Sequence, residues 1–93
     1  MSLLLKDPAA LLDYAVDWGA DYTDDDQVET SAWTVEPQED GGAAVVAGDQ
    51  GLTQTSVVVG GGIAGRVYRL ANHVRFASGR EDSRSILLRV EQR

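Results

Sequence analysis

The chain contains no cysteine. No disulfide staples it, and no thiolate is on hand to bind a metal or attack a substrate. The absence fits assembly in a reducing cytoplasm. Long apolar runs are also missing. The run near the N-terminus, Leu3-Leu4-Leu5, is three residues long, far short of a signal-peptide core or a membrane span. The expectation is a soluble, non-exported chain. No extended 3.6-residue apolar period occurs, so long amphipathic helices are not expected. Lysine occurs once, at Lys6, and histidine once, at His73. There is no internal repeat and no low-complexity tract. Six aromatic residues leave little material for an exposed ligand platform.

What remains is one domain's worth of chain, residues 1–93, with 43% hydrophobic residues. A domain of this size buries only about 60–65% of the surface its unfolded chain exposes. Its margin of stability is thin, and partner subunits would add to it. The net charge is −7, which argues against nonspecific nucleic-acid binding. The charges are unevenly placed. Residues 1–65 carry twelve acids and a single lysine, whereas residues 66–93 carry seven arginines and three acids. Two explanations stand side by side: basic C-terminal strands pairing with acidic ones inside one fold, or unlike faces meeting between subunits.

Strand-like runs separated by turn residues dominate the sequence. Residues 11–18 alternate, with Leu12, Tyr14, Val16 and Trp18 on one face and Asp13 and Asp17 on the other. A helix over residues 9–15 is the weaker alternative, because Tyr, Val and Trp favour strand. Further strands are expected at residues 28–35, 43–47, 53–59, 66–76 and 84–90, with an edge strand at 3–5. In the long sixth run Tyr68, Leu70, Asn72, Val74 and Phe76 share one face, and Arg69, Ala71, His73 and Arg75 the other. Residues 19–26, 36–42, 48–51 and 77–80 read as loops or turns. About seven short strands at this spacing predict an all-β, immunoglobulin/fibronectin-III-like sandwich.

The glycine run Gly60-Gly61-Gly62 lies between a β-branched strand and Tyr68. A phosphate-binding loop would need a lysine after the glycines and a helix to follow; neither is present. The layout instead matches a tyrosine corner, with the phenol bonded to backbone where the chain crosses between sheets. Trp33 is placed in the core, as on the third strand of immunoglobulin domains, and Trp18 is either a core lid or an interface anchor. Asn72 falls among apolar neighbours, so its amide must find partners there. Asp21, Asp24, Asp25 and Asp26 crowd one loop but lack the ordered ligand spacing of a calcium loop; a solvated loop is expected and no metal. His73 sits on the polar face. Ser31, Ser56, Ser78 and Ser85 occupy no nucleophile elbow, so no catalytic residue and no cofactor is expected.

Two blocks carry a resemblance. The first is Lys6-Asp7-Pro8, Leu12-Asp13-Tyr14, Asp17-Trp18 and Ser31-Ala32-Trp33-Thr34-Val35; the second is Gly61-Gly62-Ile63-Ala64-Gly65, Tyr68, Asn72, the stretch from Ser78 to Ser85, Leu88 and Val90. In order and spacing they resemble the small phage fiber-tail adaptor proteins. The resemblance implies a virion structural protein of the tail, made in the host cytoplasm, that links tail tube or nozzle to a fibre. Tail proteins and further copies of the chain are its implied partners, with neither nucleic acid nor membrane. It implies no enzymatic role. The rival readings are a capsid decoration or head–tail neck protein, and an Ig-like ligand-binding module. Contacts are expected from Asp21, Asp24, Asp25, Asp26, Arg69, Arg75, Ser78, Gly79 and Arg80 and from the 36–42 connection, with Trp33, Tyr68 and Asn72 structural. Between copies, a head-to-tail contact would set Arg69, Arg75 and Arg80 against Asp13, Asp17 or the aspartate loop.

Overall fold

The computed structural model describes residues 3–20 and 26–92. Seven strands follow one another: β1 (Leu3–Lys6), β2 (Leu12–Asp17), β3 (Val28–Glu36), β4 (Ala44–Gln50), β5 (Gln54–Gly60), β6 (Val67–Phe76) and β7 (Glu81–Val90). Among the described residues one 3-10 turn, Trp18–Ala20, follows β2. No helix among the described residues is long and apolar enough to cross a membrane. The strands form two sheets. Sheet A runs β1-β7-β6-β3 and sheet B runs β2-β5-β4. All pairings are antiparallel except β1 with β7.

Alternation explains which side chains meet between the sheets, since successive residues of a strand point to opposite faces. In β6 Tyr68, Leu70, Asn72, Val74 and Phe76 are all buried, and Arg69, His73 and Arg75 are exposed. In β7 Ile86, Leu88 and Val90 are buried, and in β5 Thr55, Val57 and Val59 are. The core has two halves. One is aliphatic: Val35, Val57, Val59, Leu70, Ile86, Leu88 and Val90, with Tyr68 and Ala43. The other is built on Trp18, Phe76, Val16, Val28 and Val74. Tyr14 and Trp33 pack against both halves, edge to face with ring centroids 6.2 Å apart.

Two expected boundaries move by three residues. The strand expected at 43–47 continues as β4 to Gln50, through the Gly48-Asp49 pair that reads as a turn. A bulge between Val45 and Ala47 lets it do so. Gly48 lies against the indole of Trp33, where a Cβ would stand 3.5 Å from Cδ1. The Gln50 side-chain amide donates to the Glu29 carbonyl across the sheet gap, at 3.1 Å. The last strand likewise starts three residues earlier than expected, at Glu81. Its first residues pair with the end of β6, Glu81 opposite Arg75 and Asp82 opposite Val74.

The glycine run is fixed by close approach. Gly61 has φ 72° and Gly62 φ 113°, a region that side chains other than glycine's rarely enter. A Cβ on Gly61 would meet the Gly42 carbonyl oxygen at 2.7 Å, and one on Gly62 would meet Val90 Cγ2 at 2.6 Å. The loop after β5 is thereby pressed onto both the 37–43 connection and the end of β7.

Candidate interaction surface

At one end of the sandwich lie the 37–43 and 60–66 loops; at the other lie the segment after β2, the 51–53 turn and the 77–80 turn. A carboxylate holds each end together. At the first, the Tyr68 hydroxyl accepts from the Ile63 backbone N–H at 3.1 Å and donates to Glu39 Oε1 at 2.7 Å. Burial raises the Tyr68 pKa, and the bond to Glu39 raises it further. The expected corner between phenol and backbone is therefore present, and it holds a second loop as well through Glu39. That carboxylate also lies 3.8 Å from the Arg66 guanidinium.

At the other end Asp26 is 8% exposed. It accepts from Ser78 N and Oγ at 3.1 and 2.9 Å, and from Arg80 Nε and Nη2 at 3.2 and 2.7 Å. Burial pushes the Asp26 carboxyl up, but the bonds from Arg80 and Ser78 outweigh it and hold the group below the usual carboxylate range. Backbone bonds complete the turn: Phe76 N to Arg80 O, Gly79 N to Phe76 O, and Ala77 N to Gln27 O. For Asp26 the expectation of a solvated loop is corrected. Four hydrogen bonds satisfy the carboxylate and offset the desolvation that otherwise keeps acids in water. Asp21, Asp24 and Asp25 lie outside the described residues. Among those described, no group of three or more His, Asp or Glu side chains is placed to hold a metal ion.

Between the ends, a polar network ties the two sheets. Trp18 Nε1 donates to Asn72 Oδ1 at 3.0 Å and lies 3.1 Å from Thr55 Oγ1. The Thr55 hydroxyl donates to Asn72 Oδ1 at 2.7 Å. The Asn72 amide donates to Ser31 Oγ at 2.8 Å and to the Ala32 carbonyl at 3.1 Å. Trp18 is thus a core residue, 0% exposed, with Arg84 Cζ 4.7 Å above its ring. Asn72 is the anchor that its inward position demanded. Trp33 is half-buried, and its Nε1 is buried without a hydrogen-bond partner among the described residues.

His73 has a neighbour that sequence reasoning passed over. Its Nδ1 is 2.7 Å from Ser83 Oγ and its Nε2 is 2.9 Å from Glu81 Oε1. The three residue types match a hydrolytic triad, but the geometry is that of a ladder. His73 and Ser83 are directly paired residues of β6 and β7, on the open outer face, with the His73 and Glu81 side chains more than half exposed. A triad acts beside preorganised donors in a site that excludes water; here all three residues face solvent.

The outer faces differ. On sheet A, Arg69 and Arg75 are exposed, and their guanidinium groups make no ion pair or hydrogen bond among the described residues. The corner formed by β1, β7 and the start of β6 exposes Leu3 (54%), Leu5 (45%) and Val67 (48%). On sheet B, a trough of about 320 Å³ has Val58 and Ser56 in its lining, with Asp13 and Ala15 to one side and Ala47 and Asp49 to the other. Lys6 was not foreseen as inward. Its ammonium is buried and donates to the Gly61 carbonyl at 2.6 Å and the Asp7 carbonyl at 2.8 Å. Burial lowers its pKa against the opposing pull of Asp7. Extending the expected edge strand by one residue would have put it on the inward face with Leu4.

The model of one protein family, the podophage GP4 fiber-tail adaptor protein gp77, matches residues 6–89. No curated protein matches the sequence significantly. The matched span takes in both carboxylate clasps, the Trp18–Asn72 network and the six strands from β2 to β7, apart from the final residue of β7. With nearly the whole chain covered, the resemblance carried by the two sequence blocks is borne out: the chain belongs to the podophage fiber-tail adaptor family, structural proteins of the phage tail.

Proposed function

We propose that this chain is a single rigid domain joining the tail tube or nozzle to a tail fibre, and that it does so without catalysis. The observation that carries the reading is the exposed Arg75, beside a turn that is held rather than mobile. Ser78 and Gly79 are exposed, yet bonds to Asp26 fix the turn's position, so a partner meets it with little ordering cost. The Arg80 side chain is 58% exposed even while bonded to Asp26. Arg69 and Arg75 offer guanidinium donors to an acidic or carbonyl-rich surface. The described chain extends 43 × 21 × 18 Å, which suits a spacer loaded at its ends and faces. Its net charge of −7 favours protein partners over nucleic acid.

The strand order supports an immunoglobulin-type sandwich. β2-β5-β4 corresponds to strands B, E and D, and β3, β6 and β7 to C, F and G. On that reading Tyr68 opens strand F and Trp33 lies on strand C, the positions those residue types hold in such domains. The parallel edge strand β1 then lies beside strand G.

The test is charge reversal at Arg75. Arg75→Glu is expected to leave the thermal unfolding of the isolated domain unchanged and to lower its incorporation into particles at least about tenfold, about 1.4 kcal/mol. Incorporation at the normal level would overturn the assignment of this face to a tail partner.

A further inference from the structure

The two outer faces of the sandwich complement each other. On sheet A the parallel pairing sets Leu3 beside Leu87 and Leu5 beside Arg89, and β6 continues the rows with Arg69 beside Leu87 and Val67 beside Arg89. Arg89, ion-paired with Glu91 at 2.8 Å, stands between Leu5 and Val67. The result is a corner of exposed apolar side chains around one paired guanidinium, with the Arg69 guanidinium at its margin. Sheet B presents the converse. Across its middle Asp13 pairs with Val58 and Val58 with Ala47. Next to this row Leu11 and Val46, 67% and 60% exposed, converge over Gly60, where a Cβ would stand 3.1 and 2.9 Å from their methyl carbons. An apolar floor is therefore flanked by the carboxylates of Asp13 and Asp49. Asp13 is exposed, and its carboxylate makes no hydrogen bond or ion pair among the described residues.

We propose that copies of this chain associate head to tail, the corner of Leu3, Leu5, Val67 and Leu87 seating on the Val58 trough of the next copy, with Arg69 set against Asp13. Exposed apolar patches rimmed by charge mark protein contacts, and here both halves of such a contact lie on one chain. The two surfaces are on different sheets and are not self-complementary. Each copy therefore uses one surface on each neighbour, giving a ring if the rotation closes and a filament if it does not. The partner is the chain itself, because each patch sets exposed apolar side chains beside a charge opposite to the other's, Arg69 on one and Asp13 on the other. Arg69 and Arg75 are six residues apart on β6, about 20 Å at strand rise, so this contact leaves the Arg75 end free. An exposed ion pair contributes only about 0–1 kcal/mol, so Leu3, Leu5 and Val67 supply the affinity and Arg69 the register. The proposal extends the adaptor reading by naming a second copy as one partner, but the contact belongs to the isolated chain.

Sedimentation of the purified full chain at low salt tests it. The wild-type chain is expected to self-associate. Arg69→Asp and Asp13→Arg should each weaken association at least tenfold while unfolding at the wild-type temperature. An equimolar mixture of the two variants should associate again, because each reversed surface meets its new complement and each unaltered surface its old one. A wild-type chain that stays monomeric to about 1 mM would overturn the proposal. So would single variants that associate like wild type, or a mixture that stays apart. None of these results depends on where in the particle the chain sits, so they separate this contact from the adaptor reading.

Discussion

The two halves of the core solve one problem with different chemistry. The half at the glycine end is aliphatic and closes under Tyr68. Its clasp bonds a neutral phenol to one backbone N–H and one carboxylate. The half at the aspartate end is aromatic, is threaded by the Trp18–Thr55–Asn72–Ser31 network, and closes under an ion pair. Aliphatic burial is non-directional and tolerates small shifts, whereas a buried polar network holds only when every member is satisfied. The first half therefore supplies cohesion and the second fixes how the sheets sit on each other. It is the second half that lies beneath the Arg75 face and the 77–80 turn, the surface proposed to meet a tail partner.

The comparison breaks most sharply at Asn72. Asn72→Ala is expected to cost about 3–4 kcal/mol, since it removes four hydrogen bonds, leaves the buried Thr55 hydroxyl without its acceptor and leaves Trp18 Nε1 with Thr55 Oγ1 alone. Denaturant titration measures this, with Trp18 fluorescence as the natural probe. A loss below about 1 kcal/mol would show that the network is dispensable and that the halves do not differ in kind. Tyr68→Phe should cost less, about 1–3 kcal/mol for one buried hydroxyl, with an unchanged dependence on salt. An unaltered midpoint and slope would remove the corner from the account.

The smallest effect at neutral pH, and the most diagnostic, belongs to Asp26. Its folded-state pKa is depressed, so its stabilisation is present above the ordinary carboxylate value near about 3.9. It is lost as pH falls through the lower folded value, because the unfolded chain then takes up the proton first. Asp26→Asn should therefore be less stable than wild type at about pH 7, with the gap closing toward about pH 2. A gap independent of pH would assign the clasp to shape rather than charge.

Much of this was legible in the sequence, for identifiable reasons. Strict alternation made the faces of β6 readable, and with them Tyr68 and Asn72 as buried polar groups in need of partners. The glycine run and Tyr68 announced their corner. The partner across the gap was not legible, because Glu39 sits 29 residues from Tyr68 in a connection with no periodicity. Asp26 misled for a related reason. It reads as one of four crowded aspartates, and only the fold brings Ser78 and Arg80 to it. Gly48 and Asp49 looked like a turn, since no local signal shows that a tryptophan from another strand rests on that glycine. The β1–β7 pairing is parallel and spans the chain, so neither partner's sequence encodes it. The trough on sheet B arises from three strands and a bulge, and no single segment contains it.

The central claim is that this chain sits where a tail meets its fibre. A density map of the phage particle, at a resolution that places individual chains, tests this most directly. A small fixed number of copies is expected at the tail–fibre junction, with the Arg75 face and the turn through Ser78 and Gly79 in contact with a neighbouring protein. Copies spread over the capsid shell, or a tail position in which that face looks only into solvent, would contradict it.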